Sequence, residues 1–209
     1  KRVKYLMSRA DQAQETKQKL LDAALALFAE QGYSKTSIRA LARRAGLSDG
    51  ILYHHFPDGK QEIFSVLMAQ GVQQALSVLN KVNQDLEQAP LADVLNTLCE
   101  MSVALFSTHR ELLKIMMRES ENMQLNEIHM ISALFETREH WLADLLAQRH
   151  EQGNVRLMDF SLAAQQFMAL NLQYGLAELF NLNIGCDMAS PETRAQMIAQ
   201  TVMLWSPAG

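Results

Sequence analysis

Cysteine is scarce: Cys99 and Cys186 are the only two among 209 residues. That excludes a disulfide framework and a four-cysteine zinc site, and it fits a reducing compartment. Proline (four) and glycine (nine) are few as well, which disfavours a turn-rich β-sandwich and favours helices. No basic, apolar and small-residue succession of the secretory kind opens the chain, so a soluble cytoplasmic protein is expected. The least charged stretch, 160–186, has Glu178 as its one charge but carries Gln165, Gln166, Asn171, Gln173, Asn181 and Asn183. A bilayer core tolerates six amides poorly, so no membrane span is expected. A glycine-rich phosphate loop, a nucleophile–base–acid set and clustered metal ligands are also missing. Neither an enzyme, a metal nor a cofactor is expected.

What is present begins with charge. The net charge of −4 hides an uneven distribution. Residues 1–60 hold eleven Lys and Arg against six acids, and residues 61–209 hold eight against seventeen. A basic first quarter on an acidic body predicts a local surface for a polyanion.

Periodicity then divides the chain. Residues 1–15 read as a basic arm, of which 1–6 precede a Met7-Ser8-Arg9 that looks like a natural start. From Thr16 the pattern is helical, with Leu20, Leu21, Ala24, Leu27 and Phe28 on one stripe. Gly32 is expected as its left-handed cap. A short second helix carries Ile38, Leu41, Ala42 and Ala45, and a third starts at Ser48 and buries Leu52 and Phe56. The turn Gly46-Leu47-Ser48 between them has the length of a helix-turn-helix. Beyond residue 60 the pattern stays helical: 60–86, 91–106, 109–118, 125–151, 159–183 and a last helix opened by Ser190-Pro191. The expected fold is all-α, about nine helices, in two lobes divided as 16–60 and 61–209.

Residues 16–68 carry more than periodicity. Ala23-Ala24-Leu25 with Leu27-Phe28, Gln31-Gly32-Tyr33, Thr36-Ser37-Ile38, Ala45-Gly46-Leu47-Ser48, Leu52-Tyr53-His54-His55-Phe56 and Lys60 follow in unbroken order. This quarter of the chain resembles the N-terminal domain of the TetR family of bacterial transcriptional regulators. The resemblance implies a three-helix DNA-binding domain at 16–60 and a larger helical domain at 61–209 for effector binding and dimerisation. It implies a regulator, by expectation a repressor, that binds double-stranded operator DNA as a homodimer and leaves it when a small effector binds. A DNA binder of the same fold with no small effector, acting through a protein partner, is the alternative.

The side-chain geometry agrees with a recognition helix in a major groove about 12 Å wide. If Leu52 and Phe56 face inward, Gly50 and His54 face outward, flanked by Ile51 and Tyr53. Gly50 permits close backbone approach, and Tyr53 and His54 offer polar groups to phosphates or bases. Ser37 and Ser48 sit at helix starts that attract phosphate, Arg39, Arg43 and Arg44 add positive potential, and Lys60 is expected on a phosphate. His55 flanks the buried face. Asp49 and Ile51 stand where relatives often carry Lys and Thr. Asp49 could accept from cytosine and Ile51 touch a thymine methyl. His54 and His55 are not a metal pair, because adjacent helical residues point about 100° apart.

In the second lobe the helix from Asp159 is apolar on two sides, which predicts one side on the core and the other on a partner subunit. The expected dimer face is Ala164, Met168, Leu172, Gly175 and Leu179, joined by Ile198, Val202 and Trp205 of the last helix. Two-fold symmetry then predicts a pseudo-palindromic operator. Methionine is dense between Met101 and Met130, Met123 included, and its flexible side chains suit varied apolar ligands. An effector pocket is expected to use Cys99, Phe106, Met116, Met117, Met130, Phe167 and Tyr174. That lining has little charge, so the expected effector is apolar or amphipathic.

Overall fold

The computed structural model describes residues 8–119 and 125–207. Residues 1–6 and Met123 therefore lie outside the described residues. Among the described residues all regular structure is helical: α1 (Arg9–Gln31), α2 (Ile38–Arg44), α3 (Asp49–His55), α4 (Lys60–Leu86), α5 (Leu91–Thr108), α6 (Arg110–Arg118), α7 (Leu125–Glu151), α8 (Phe160–Phe180) and α9 (Pro191–Trp205). Two compact units emerge. The first combines residues up to Gly71 with Glu111–Glu127, and the second combines Val72–Arg110 with Ile128–Gly209. The chain passes between them inside α4, at Arg110/Glu111, and inside α7. The first unit thus reaches beyond residue 60 and includes α6, which sequence periodicity assigned to the other lobe.

In the first unit α1 starts at Arg9 rather than Thr16, so the expected arm is helical from that point. The reason is a capping box: Ser8 Oγ accepts from the Asp11 N–H at 3.1 Å, and Asp11 Oδ2 accepts from the Ser8 N–H at 3.0 Å. The same Ser8 hydrogen bonds hold the Asp11 carboxyl below its ordinary pKa. At the other end Gly32 adopts φ 95°, ψ 155°, an extended positive-φ conformation that glycine alone adopts readily. It is not the left-handed helical cap expected, yet its N–H still donates to the Phe28 carbonyl at 3.1 Å. Ser37 Oγ accepts from the Ala40 N–H and Ser48 Oγ from the Ile51 N–H, which starts α2 and α3.

The apolar stripes of these helices meet in one core. Leu20, Leu21, Ala24 and Phe28 of α1, Leu41 of α2, Leu52 of α3, Phe56, and Ile63, Phe64 and Met68 of α4 are all almost fully buried. Phe28, Tyr33 and Phe64 pack edge-on or tilted against one another with centroids 5.2–6.3 Å apart. Truncating one such ring would cost about 3–5 kcal/mol. α6 closes on α4 at Gly71, where a Cβ would stand only 2.7 Å from Leu112 Cδ2.

The second unit has its own core from α5, α7, α8 and α9: Val94, Leu95, Leu98, Leu142, Leu146, Ala163, Ala164, Phe167, Ile198 and Trp205. Buried Arg194 ties α9 to α5, donating to Asn96 Oδ1 at 2.8 Å, Glu100 Oε1 at 3.1 Å and the Met188 carbonyl at 2.6 Å. α8 ends at Phe180, three residues short of the expected limit, because Asn181 takes the left-handed conformation (φ 57°, ψ 42°). Among the described residues no helix is long and apolar enough to cross a membrane.

Candidate functional site

Two places gather functional side chains, one in each unit. In the first, α2 and α3 leave a polar face outside their shared core. Ser37, Arg39, Arg43, Ser48, Asp49, Gly50, Ile51, Tyr53 and His54 are all exposed. Ile51 and Tyr53 are large residues that the subunit itself does not cover. Gly50 faces open space: an added Cβ would find only Ser48 Oγ, at 4.0 Å. Arg44 is drawn into an exposed ion pair with Glu30 at 2.9 Å, so the net positive charge of this face rests on Arg39 and Arg43.

His55 is half-buried, 5.3 Å from the His54 ring. Burial first, then the His54 and Lys17 charges, lower its pKa. It lies at the edge of the face.

Lys60 is placed differently from expectation. Its Nζ donates to the carbonyls of Tyr33 at 2.9 Å, Thr36 at 3.2 Å and Ser34 at 3.4 Å, and lies 4.3 Å over the Tyr33 ring. An ammonium has three N–H donors, and here all three are used inside the protein. Lys60 therefore fastens the α1–α2 loop to the start of α4 instead of pointing at a phosphate. Gly59 makes the approach possible: it has φ +63°, and a Cβ there would press on Ile38 Cδ1 at 3.1 Å.

The same loop is gripped from its other side by α6 residues. Buried Glu119 accepts from the Tyr33 N–H at 3.2 Å and the Ser34 hydroxyl at 3.3 Å. The Arg118 guanidinium donates to the Phe28 carbonyl and pairs with Glu119 at 3.4 Å. Glu119 gave little sequence signal, since it opens a polar stretch that reads as a loop.

In the second unit a cavity of about 510 Å³ lies among α4, α5, α7 and α8, within the ordinary range for small-molecule sites of about 300–1,000 Å³. Its walls are mainly apolar, from Leu98, Met101, Phe106, Leu134, Phe135 and Met168. Gln74 and Ser77 of α4 and Thr108 and His109 at the end of α5 also border it. Burial lowers the His109 pKa, so that imidazole is neutral near pH 7.

Of the expected pocket residues, Phe106 lines this cavity. Cys99, Phe167 and Tyr174 are buried in the neighbouring core; burial pushes the Cys99 thiol up to about 12 despite the opposing Arg194 charge. Met116 and Met117 sit on α6 in the other unit, and Met130 is half-buried on α7. Periodicity did not single out Arg138 and Asn171, two buried polar residues on the apolar faces of α7 and α8 that line the cavity.

The expected dimer face needs correction too. Ala164, Gly175, Leu179, Ile198 and Trp205 are buried within the subunit, Met168 and Val202 are half-buried, and only Leu172 is exposed. Gly175 is the seat of the Phe106 ring, since a Cβ there would stand 2.0 Å from Phe106 Cζ. Ala163, Ala164, Gly175 and Ala177 of α8 face inward, where their small size permits close helix approach. Leu162 and Leu170 of α8, with Met203 and Leu204 of α9, remain outside.

Residues 20–67 match the bacterial regulatory proteins of the tetR family, and residues 93–205 match the C-terminal domain of AefR-like transcriptional repressors. The second match spans more than half of the chain, which therefore belongs to the TetR family of transcriptional regulators. The chain is similar to the HTH-type transcriptional regulator AcrR of Shigella flexneri, 50% identical over 54 residues. That match covers 26% of this chain and only 25% of AcrR. Similarity to UidR of Escherichia coli is weaker but longer, 24% over 170 residues, covering 79% of this chain and 81% of UidR. A tetR-family regulatory protein from Rhodococcus shares the fold, with a TM-score of 0.69 at 16% identity over 93% of this chain and 99% of the other.

Proposed function

We propose that this regulator is a homodimeric repressor that reads operator DNA with the α2–α3 face and releases it when an apolar or amphipathic small molecule fills the cavity of the second unit. The observation that carries the reading is the exposed face itself. Arg39, Arg43, Gly50, Ile51, Tyr53 and His54 serve no purpose in their own core, and together they offer positive charge, polar groups and an unobstructed backbone. DNA recognition needs those three things. The second copy covers the apolar groups left on α8 and α9, Leu162, Leu170, Met203 and Leu204, and two such subunits require a pseudo-palindromic site.

Coupling follows the covalent path. α4 begins with Lys60 beneath the α1–α2 loop, and its residues Gln74 and Ser77 border the cavity. The cavity-bordering end of α5 continues directly into α6, whose end carries the Glu119 and Arg118 bonds to that same loop. A ligand that moves either helix end acts on the DNA-reading helices, by no more than its differential affinity for the two states.

Fluorescence anisotropy with DNA flanking the protein's own gene, against a scrambled duplex, tests the reading. Affinity for the flanking DNA should exceed that for the scrambled duplex at least a hundredfold. It should also fall with log salt at a slope of about −0.9 per phosphate contacted. Equal affinity for both duplexes sinks sequence-specific binding. Sedimentation tests the dimer, which Leu170→Arg should convert to monomer; a monomeric wild type at micromolar concentration refutes it.

A further inference from the structure

Asn171 of α8 stands on the wall of the second unit's cavity and is only 2% exposed. It is the one amide among the buried residues of that helix. One of its N–H groups donates to the Phe167 carbonyl at 3.0 Å. The other is accounted for by Cys99. Burial raises the Cys99 pKa, and a hydrogen bond with the Asn171 side chain opposes that rise. A thiol donating to the amide oxygen would be held in its neutral form and its pKa raised further. The amide nitrogen is therefore the donor to this sulfur too, both N–H groups are committed, and the orientation of the amide is fixed.

That leaves Oδ1, which is buried and accepts no hydrogen bond. A buried oxygen in this state in a native protein calls for a donor. Its polar neighbours on the wall are occupied elsewhere. Arg138 Nη2 donates to Met101 Sδ at 3.2 Å, and its guanidinium lies 4.8 Å over the Trp141 ring. Glu100 is held at 3.1 Å by Arg194. Met168, one turn before Asn171 on the same wall, is half-buried. Its unbranched thioether adapts easily, so a ligand reaches the amide oxygen by moving a flexible side chain and no helix.

We propose that the ligand of this cavity is an alcohol or an amide with a large apolar body. Its O–H or N–H donates to Asn171 Oδ1, and the body lies against Phe106, Leu134 and Phe135. An ether or a hydrocarbon of the same size leaves that oxygen without a donor and binds more weakly. This rests on the effector reading above and narrows it to ligands that bear a donor.

The test displaces pyrene, an apolar fluorophore without hydrogen-bonding groups, from the full-length protein. The competitors are 1-decanol, 5-decanol and methyl nonyl ether, isomers of one molecular formula. The alcohols carry a donor at the end or in the middle of the chain, and the ether carries none. On the wild type, at least one alcohol should displace pyrene at a concentration threefold or more below that of the ether. Asn171→Leu should bring that alcohol and the ether within a factor of two without weakening the ether. The wild-type ratio needs no variant, so an unfolded mutant leaves the proposal open to refutation. If the ether matches both alcohols on the wild type, the Asn171 assignment is wrong while the cavity remains a ligand site. If the alcohol keeps its advantage in a folded Asn171→Leu protein, another group takes the donor and the assignment is again wrong. If neither pyrene nor any of the competitors binds, or their binding leaves operator affinity unchanged, the effector reading itself fails and this one with it.

Discussion

Lys60→Met is the most decisive single change, because two accounts of that lysine predict different outcomes. On the structure, Lys60 Nζ serves three carbonyls of the α1–α2 loop while its stem covers the Tyr33 ring. Methionine keeps the stem and deletes the donors. A single hydrogen bond to a charged group is worth about 1.5–3 kcal/mol net, and the three here share one ammonium that water would otherwise solvate. Lys60 is only partly buried, and burial lowers its pKa against the Glu119 charge that raises it. Desolvation therefore offsets part of the gain, and we expect a loss of about 1–2 kcal/mol. For a chain of this size about 2–4 °C accompanies each kcal/mol, so thermal unfolding by circular dichroism should fall by roughly 2–8 °C. Operator affinity should fall as well, because the loosened loop carries Ser37 and the start of α2. The slope of log affinity against log salt should stay as in the wild type. A lysine on a phosphate predicts the reverse: an unchanged unfolding temperature and a slope shallower by about 0.9. That result would refute the fastening role.

Other changes test neighbouring steps. Gly50→Ala should raise stability by a few tenths to about 1 kcal/mol, since alanine suits a helix better and a Cβ there meets open space. The same variant should bind operator at least fivefold more weakly by anisotropy; wild-type affinity would show that this face does not approach the DNA. Glu119→Gln removes the charge that receives the Tyr33 N–H and the Ser34 hydroxyl. It should cost about 1–3 kcal/mol in urea unfolding, and an unchanged midpoint would mean the bonds contribute nothing net. His55 and His109 both have pKa values lowered by burial, so protonation favours the unfolded chain. Their stabilising effect is complete above the ordinary histidine value near 6.5 and is lost as pH falls through the lower folded values. The unfolding temperature should drop between pH 7 and 5.5, and should drop less in the double variant His55→Gln, His109→Gln.

The helices themselves were legible in the sequence because each carries a local signal. Leu20, Leu21, Ala24, Leu27 and Phe28 mark the buried stripe of α1, and Ser37, Ser48, Asp159 and Ser190 start α2, α3, α8 and α9 through their own side chains. Where the limits shifted, the cause was equally local: the Ser8–Asp11 box extended α1 backward, and left-handed Asn181 cut α8 short. The polar face of α3 followed from the same 100° step that buries Leu52.

The cavity is another matter, because it is a property of how helices meet. Composition drew attention to the methionines between residues 101 and 130, yet α6, with Met116 and Met117, folds with the first unit while α5 remains in the second. Nothing in the spacing of those methionines records that the chain crosses back between them. For α8, the pattern showed two apolar sides without saying which was inner. In the structure Ala163, Ala164, Phe167, Tyr174, Gly175 and Ala177 lie inside, where Gly175 receives the Phe106 ring, and Leu162 and Leu170 lie outside. A side of small residues lets a neighbouring helix come close and gain dispersion contacts along its length, whereas branched side chains hold it away. Volume alone does not mark that face in the sequence, since Phe167, Tyr174 and Leu179 are buried with the small residues and Ala169 is exposed. Polarity along the stripes does mark Arg138 and Asn171: one cation on the apolar stripe of Leu134, Phe135, Trp141 and Leu142, and one amide between Phe167 and Tyr174, interrupt faces that are otherwise apolar.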